Sequence, residues 1–264
     1  MTAPIPKTTG EEIGEGVNAL ILDGDEFRRF DDPRVVTLWD EATKLQKADA
    51  RLSFSLRGSM AAICGRIDDT HEYFRKALLH PDIESTRMEY WTALANLGLY
   101  SAASEQGTWL LEPKRHFFPA IWERAVSQGH VTEVSNRLAG AKQVFPDLSK
   151  SNFAWLEKAA AVMKESGTSD KQIFAVLDLM GEIQRIHGIM FAGRLATHAR
   201  VMSPPDDPAY LHLSMPVLVN AGKLREMNSE LSKLIVKRLP NGMFSPGLVA
   251  SFYRAAPAAL QAAA

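Results

Sequence analysis

The stretch GRIDDTHEYFRKALLHP, residues 65–81, decides the fold, because it opens on a glycine, closes on a proline and returns twice downstream. The second copy runs from Gly98 to Pro113 and the third from Gly129 to Pro146. A period of about 33 residues is typical of repeats built from two helices, which bury their apolar faces only by stacking on their neighbours. The spacing therefore predicts a helical solenoid, and it favours binding over catalysis.

Composition agrees with an ordinary globular protein. Of the 264 residues, 46% are hydrophobic and 23% are charged, and the net charge of -1 gives no indication of a general nucleic-acid or membrane binder. The single cysteine, Cys64, excludes an internal disulfide and fits a reducing compartment. Its apolar context predicts a core residue rather than a reactive thiol. With neither a signal peptide nor an apolar run of membrane-spanning length visible, we expect a cytoplasmic protein.

Apolar spacing within the repeats predicts pairs of amphipathic helices. Positions three and four residues apart are apolar on both sides of each glycine, as expected for helices that bury one face. Pro119 would stand near the start of its helix, where proline is tolerated. The expected helices cover residues 52–63, 68–78, 85–97, 100–111, 118–128 and 131–144.

The chain divides into four predicted segments. An N-terminal arm and acidic segment covers residues 1–34, and the repeats cover 35–147. An irregular long-helix region follows over 148–202. The proline-rich linker at 203–208 then leads to a helix pair and an alanine-rich tail over 209–264.

The repeat positions resemble those of the tetratricopeptide repeat family. The shared pattern of small, aromatic and proline positions is carried in the first block by Gly65, Ile67, Thr70, Phe74, Ala77 and Pro81, in the second by Trp91, Leu94, Gly98, Tyr100, Ala103 and Pro113, and in the third by Ile121, Ala125, Gly129, Leu138 and Ala141. The resemblance covers residues 52–146 well and 209–240 loosely. It implies an all-α, right-handed solenoid of TPR-like helix pairs with irregular flanking helices; other two-helix solenoids remain possible.

The resemblance also implies where a partner would bind. In this family ligands usually lie along the first helices of the repeats, and the corresponding positions here are Ser55, Ser59, Met88, Thr92, Asn96 and Glu123. The lysine and asparagine clamp that some members use for a peptide carboxylate is missing, since Glu89 and Ala120 stand at its positions. We therefore expect a protein- or peptide-binding scaffold, such as an adaptor, a secretion chaperone or an antitoxin-like inhibitor. A helical-repeat RNA-binding protein is the alternative, and an all-helical enzyme is a third.

Chemistry is not indicated by any motif. The chain has seven histidines but no HExxH, glycine-rich phosphate loop, GxSxG elbow or CxxC. His187 and His198, placed on one helix, would lie roughly 16 Å apart at 1.5 Å per residue, too far to share a metal ion. The sequence predicts no catalytic residue, no cofactor and no metal.

A run of small residues suggests a close helix contact after the repeats. If residues 170–199 form one long helix, the small residues fall on nearly one face, since their offsets return near whole turns. This face would pack against a helix of residues 209–254 or form a homodimer. Alternatively, Gly188 or Gly193 ends the helix. The seam residues are Gly181, Gly188, Ala192, Ala196 and Ala199.

Overall fold

A computed structural model describes residues 9–111, 119–144, 153–190, 197–239 and 245–255. The chain divides into two compact units, each with its own packing. Unit 1 comprises Met1–Leu97 and Gln184–Gly193, and unit 2 comprises Gly98–Ile183 and Arg194–Ala264. In the described residues no helix is both long and apolar enough to cross a membrane.

Within the described residues, five helices lie entirely in unit 1. They are α1 (Thr9–Leu22), α2 (Pro33–Leu45), α3 (Ala50–Ile63), α4 (Ile67–Ala77) and α5 (Ile83–Asn96). Helix α1 lies within residues 1–34, predicted as an N-terminal arm and acidic segment, and its Ile13 and Val17 are buried against Leu56 and Met60 of α3. This segment is therefore part of the core, because its apolar residues recur at helical spacing.

Unit 2 combines helices with a small sheet. Its elements are α6 (Tyr100–Gly107), a 3-10 turn (Thr108–Leu111), α7 (Pro119–Ser127), α8 (Val131–Val144), α9 (Ala154–Ser166), α10 (Asp170–Ile186), β1 (His198–Met202), β2 (Tyr210–Val217), α11 (Ala221–Arg238) and β3 (Leu248–Arg254). The last three residues of α10 belong to unit 1. The chain is thus mostly helical, as predicted, and Pro119 opens its helix.

The repeat glycines lie between the two helices of each predicted pair. Gly65, Gly98 and Gly129 all have positive φ, at 71°, 68° and 105°, which residues with a Cβ rarely adopt. After Gly65 the Arg66 N–H donates to the carbonyl of Ala61, while Gly65 itself donates to Ala62. This pair of hydrogen bonds is the common glycine cap of a helix C-terminus, and it explains why the glycine recurs.

Two carboxylates of helix α10 bond to the N-terminal ends of α8 and α6 in unit 2. Asp170 accepts hydrogen bonds from the N–H groups of Thr132 and Glu133, both at 2.9 Å, in the first turn of α8. Asp178 accepts one from Ser101, at 3.1 Å, in the first turn of α6. Both carboxylates satisfy backbone donors that a helix leaves unpaired, and both lie at the positive end of a helix dipole.

The predicted helix pair over residues 209–240 is wrong in its first member. Residues 210–217 form the central strand β2, which pairs antiparallel with β1 and parallel with β3. Leu211, Leu213 and Met215 are buried while the residues between them are not, a period of two that indicates a strand. Residues 248–254, which follow the predicted pair, form strand β3, whereas α11 confirms the second helix of the pair.

The long helix with its small-residue seam is also wrong. Helix α10 ends at Ile186, and Gly188 follows with a φ of 70°, so the alternative of a break at Gly188 is confirmed. Ala199 lies in β1, and Ala192 and Ala196 lie outside the described residues. A continuous face for a homodimer therefore does not form, because the glycine cap terminates the helix.

Candidate functional site

Helices α3 and α5, the first helices of two consecutive pairs, pack against each other in unit 1. Each leaves one predicted contact residue accessible in an otherwise buried stretch. Ser59 is the only residue of 55–63 that is not buried, and Thr92 is the only such residue of 90–96. Met88 lies one turn before Thr92 on the same helix face and is 40% exposed. These three residues mark the accessible face of α3 and α5.

Two of the predicted contact residues are not accessible. Ser55 is 1% exposed and Asn96 is 4% exposed. Both carry a buried side-chain oxygen, Oγ of Ser55 and Oδ1 of Asn96, that has no hydrogen-bond partner. Burial within unit 1 removes Ser55 and Asn96 from the set of residues that a partner could contact.

Cys64 lies at the C-terminal end of α3 and is half-buried and unpaired. Burial raises the pKa of its thiol to about 11, an effect only partly opposed by the nearby guanidinium of Arg66. The thiolate is the nucleophilic form, so Cys64 is a poor nucleophile at neutral pH.

A cleft between α1 and α2 forms a second apolar surface of unit 1. It has a volume of about 620 Å³, and its wall includes Gly16, Ala19 and Leu38. Small residues on α1 open this cleft, since a Cβ on Gly16 would meet the side chain of Leu38. At its end Arg34 donates to Asp23 at 2.8 Å.

Glu123, the sixth predicted residue, lies in unit 2 in the wall of a pocket of about 220 Å³. Helix α7 contributes Glu123 to this pocket, together with Val126 and Ser127. The residues at the start of α9 contribute Phe153 and Trp155. The third wall is residues 197–200, at and before strand β1.

The sequence missed the third wall of this pocket because residues 148–202 were assigned to a long-helix region. The sequence does contain one indication of a strand there. In His198–Met202 the polar or large residues alternate with Ala199 and Val201, and a period of two is typical of a strand. Five residues are too few for such alternation to be decisive without a partner strand. The pairing of β1 with β2 identifies the strand.

Strand β1 is an edge of the sheet. The bonds from Leu211 N–H to Gly247 and from Ala255 N–H to Val217 show that odd-numbered residues of β2 bond towards β3. The even-numbered residues of β2 therefore bond towards β1, and the register leaves the N–H and C=O of Ala199 on the outer side. In the described structure no group of the chain bonds to them.

The opposite edge of the sheet is covered. The side-chain amide of Asn228 on α11 donates to the carbonyl of Phe252 at 3.0 Å and accepts from its N–H at 2.8 Å. This amide takes the place of a neighbouring strand at the middle of β3. The free backbone groups at Ala199 thus belong to the edge that faces the pocket.

Charged and titratable groups surround strand β1. The pKa values of His198 and His212 are both lowered, first by burial and then by the charge of Arg200. Both imidazoles are therefore neutral at pH 7, and His212 Nε2 lies 2.9 Å from the hydroxyl of Ser251. Arg200 is the charged basic side chain among the described residues that line the pocket. In the described ranges no group of three or more His, Cys, Asp or Glu side chains could hold a metal ion.

No protein-family model matches this chain, and no curated protein and no solved structure is detectably similar to it.

Proposed function

We propose that this chain is a protein- or peptide-binding scaffold of TPR-like helix pairs, which holds its partner on the accessible face of α3 and α5. The observation that carries the proposal is the packing of these two first helices side by side, with Ser59, Met88 and Thr92 accessible on them. A face with one apolar and two hydroxyl side chains suits a partner that contributes both apolar and hydrogen-bonding groups.

The repeated helix ends support this proposal. The cap seen at Gly65 recurs at Gly129, where His130 donates to Ala125, and at Gly167, where Thr168 donates to Met163. Helix pairs closed in the same way are the units from which solenoids stack, and we propose a right-handed solenoid as their arrangement. Adaptor, secretion chaperone and antitoxin-like inhibitor are the roles that such a binding surface serves. The one cysteine being unpaired, we propose that the protein acts in the cytoplasm.

We expect the double variant Met88→Arg and Thr92→Arg to lose its partner. Two long cations on the accessible face of α3 and α5 would block close packing and leave charges unpaired in an interface. The full-length chain would be used to capture proteins from an extract of its native host, with mass spectrometry as the readout. At least a tenfold loss of one partner protein is expected, with the thermal midpoint of the chain retained.

The matched control is Val236→Arg on α11, a side chain that is 82% exposed and lies in unit 2. Its capture of the partner should equal that of the unmodified chain, since exposed substitutions typically change stability by about 0.5 kcal/mol or less. Equal capture by the double variant would exclude this face. A captured complex that disappears with nuclease would instead favour the RNA-binding alternative.

A further inference from the structure

The pocket between α7, the start of α9 and β1 contains a polar group that the chain does not satisfy. Thr197 is 3% exposed and lines the pocket, and its hydroxyl has no hydrogen-bond partner in the part of the chain that the structure describes. Leaving a buried hydroxyl without a hydrogen bond is unfavourable, so such groups usually mark a water or a ligand. The free N–H and C=O of Ala199 add a donor and an acceptor beside it.

Two opposite charges in the pocket wall have no ion-pair partner among the described residues. Glu123 on α7 and Arg200 on β1 both line the pocket and are both exposed. Although their charges are opposite, they form no ion pair with each other or with any other group in the described structure. The pocket thus presents a carboxylate from one wall and a guanidinium from another.

Helix α9 adds a positive end to the same pocket. Its first turn begins after Phe153, which provides no side-chain cap to the backbone donors. The N-terminus of a 13-residue helix favours a negative group placed near it, and Glu157 in its first turn already supplies one. Arg200 therefore makes its wall of the pocket suited to a carboxylate, while Glu123 suits an ammonium group.

The remaining wall is apolar and the space is small. Val126 and Phe153 are buried side chains of the wall, and Trp155 is half-buried. The volume of about 220 Å³ lies below the roughly 300–1,000 Å³ of pockets for drug-sized ligands. A pocket of this size suits a metabolite of amino-acid size.

We propose that this pocket binds a free α-amino acid with an apolar side chain. The ammonium group pairs with Glu123, and the carboxylate pairs with Arg200. The Thr197 hydroxyl and the backbone of Ala199 supply further hydrogen bonds, and the ligand side chain packs on Phe153 and Trp155. This site is separate from the accessible face of α3 and α5, and the inference does not rest on the proposed protein-binding function.

Calorimetric titration of the full-length chain with L-leucine and L-phenylalanine tests the inference. We expect at least one of them to bind. Leucinamide or phenylalaninamide, which lack the carboxylate, and the N-acetyl derivatives, which lack the ammonium group, should bind at least about tenfold more weakly than that amino acid, since each loses a charge-assisted bond. Failure of both amino acids to bind at millimolar concentration would overturn the proposal, as would equal binding of either blocked derivative.

Variants of the two charged residues make the test specific. Arg200→Gln should bind the amino acid and its amide equally, because the group that distinguishes them is gone. Glu123→Gln should likewise no longer distinguish the amino acid from its N-acetyl derivative. If Arg200 or Glu123 had only a structural role, its variant would not lose one of these two preferences and keep the other. The assignment would be contradicted if both variants still preferred the free amino acid over its amide and over its N-acetyl derivative.

The matched controls are Arg225→Gln and Glu226→Gln, which remove the same two charges at exposed positions of α11. Both should retain the affinity and both discriminations. Thr197→Val, which keeps the shape of the side chain but removes its hydroxyl, should weaken binding without lowering the thermal midpoint, because the hydroxyl has no partner among the described residues. Unchanged affinity in Thr197→Val would remove this residue from the site.

Discussion

Replacing Gly181 with alanine is expected to destabilise the protein by about 3 kcal/mol, at the upper end of what overpacking usually costs. Gly181 lies in α10 against the turn between α5 and α6. A Cβ at this position would lie 2.6 Å from both the carbonyl carbon and the Cα of Gly98, and closer still to its carbonyl oxygen. Backbone atoms cannot rotate away as a flexible side chain can.

The turn that Gly181 contacts has little freedom to adjust. Gly98 has a φ of 68°, and the neighbouring Ser101 N–H is bonded to Asp178, one turn before Gly181 on α10. Moving the turn away would therefore lengthen that bond as well. The variant must either separate α10 from the turn or distort the helix, and both lose native contacts.

Gly140→Ala is the matched control, because it makes the same change in the interior of a helix. Gly140 in α8 is exposed, and a Cβ there would meet no atom within 4 Å. This variant should gain about 0.5–1 kcal/mol, since alanine loses less backbone entropy than glycine in a helix. Urea unfolding followed by circular dichroism measures both changes. Equal stabilities of the two variants would mean that Gly181 is not closely packed.

The second large effect is a loss of stability in acid caused by His130. This side chain precedes α8, is 3% exposed and packs edge-on against the ring of Phe174, with 4.9 Å between the ring centroids. Burial lowers the pKa of His130 from 6.5 to about 4. Of the nearby charges, Glu133 acts to raise this pKa and Arg137 to lower it, and neither outweighs burial.

The sign follows from the lowered pKa. In the unfolded chain His130 takes up a proton as the pH falls through about 6.5, whereas the folded chain resists protonation until about 4. Protonation therefore stabilises the unfolded state relative to the folded state between these values, and stability present above pH 6.5 is lost progressively on acidification. At about 1.4 kcal/mol per pKa unit the loss is about 2 kcal/mol at pH 5 and about 3 kcal/mol once the pH is below 4.

His130→Gln isolates this contribution, because glutamine is polar but does not titrate. Urea unfolding of both proteins at pH 7.5 and pH 5 should show about 2 kcal/mol less pH dependence in the variant. The difference between the two proteins is the quantity to compare, since burial also lowers the pKa values of His71, His198 and His212. The same acid sensitivity in both proteins would contradict the assignment to His130.

Only part of the candidate site could be predicted from the sequence. Glu123 was identified from its place on the first helix of a pair, a local property of the sequence. Its position opposite Thr197 and Arg200 could not be predicted, because more than 70 residues separate them along the chain. Ser55 and Asn96 were assigned to the contact surface by the same local rule, and unit 1 buries both.

The ends of the helices were determined by the sequence itself. Gly65, Gly98 and Gly129 end helices wherever they stand, since positive φ is inexpensive only without a Cβ, and Pro119 starts one for an equally local reason. Strand β2 depended on tertiary structure, because a short apolar stretch such as YLHLSMPV becomes a strand only when β1 and β3 satisfy its backbone bonds. Local backbone chemistry thus determined where the helices end, whereas hydrogen bonding and packing between distant segments decided the sheet, the buried polar residues and the pocket beside β1.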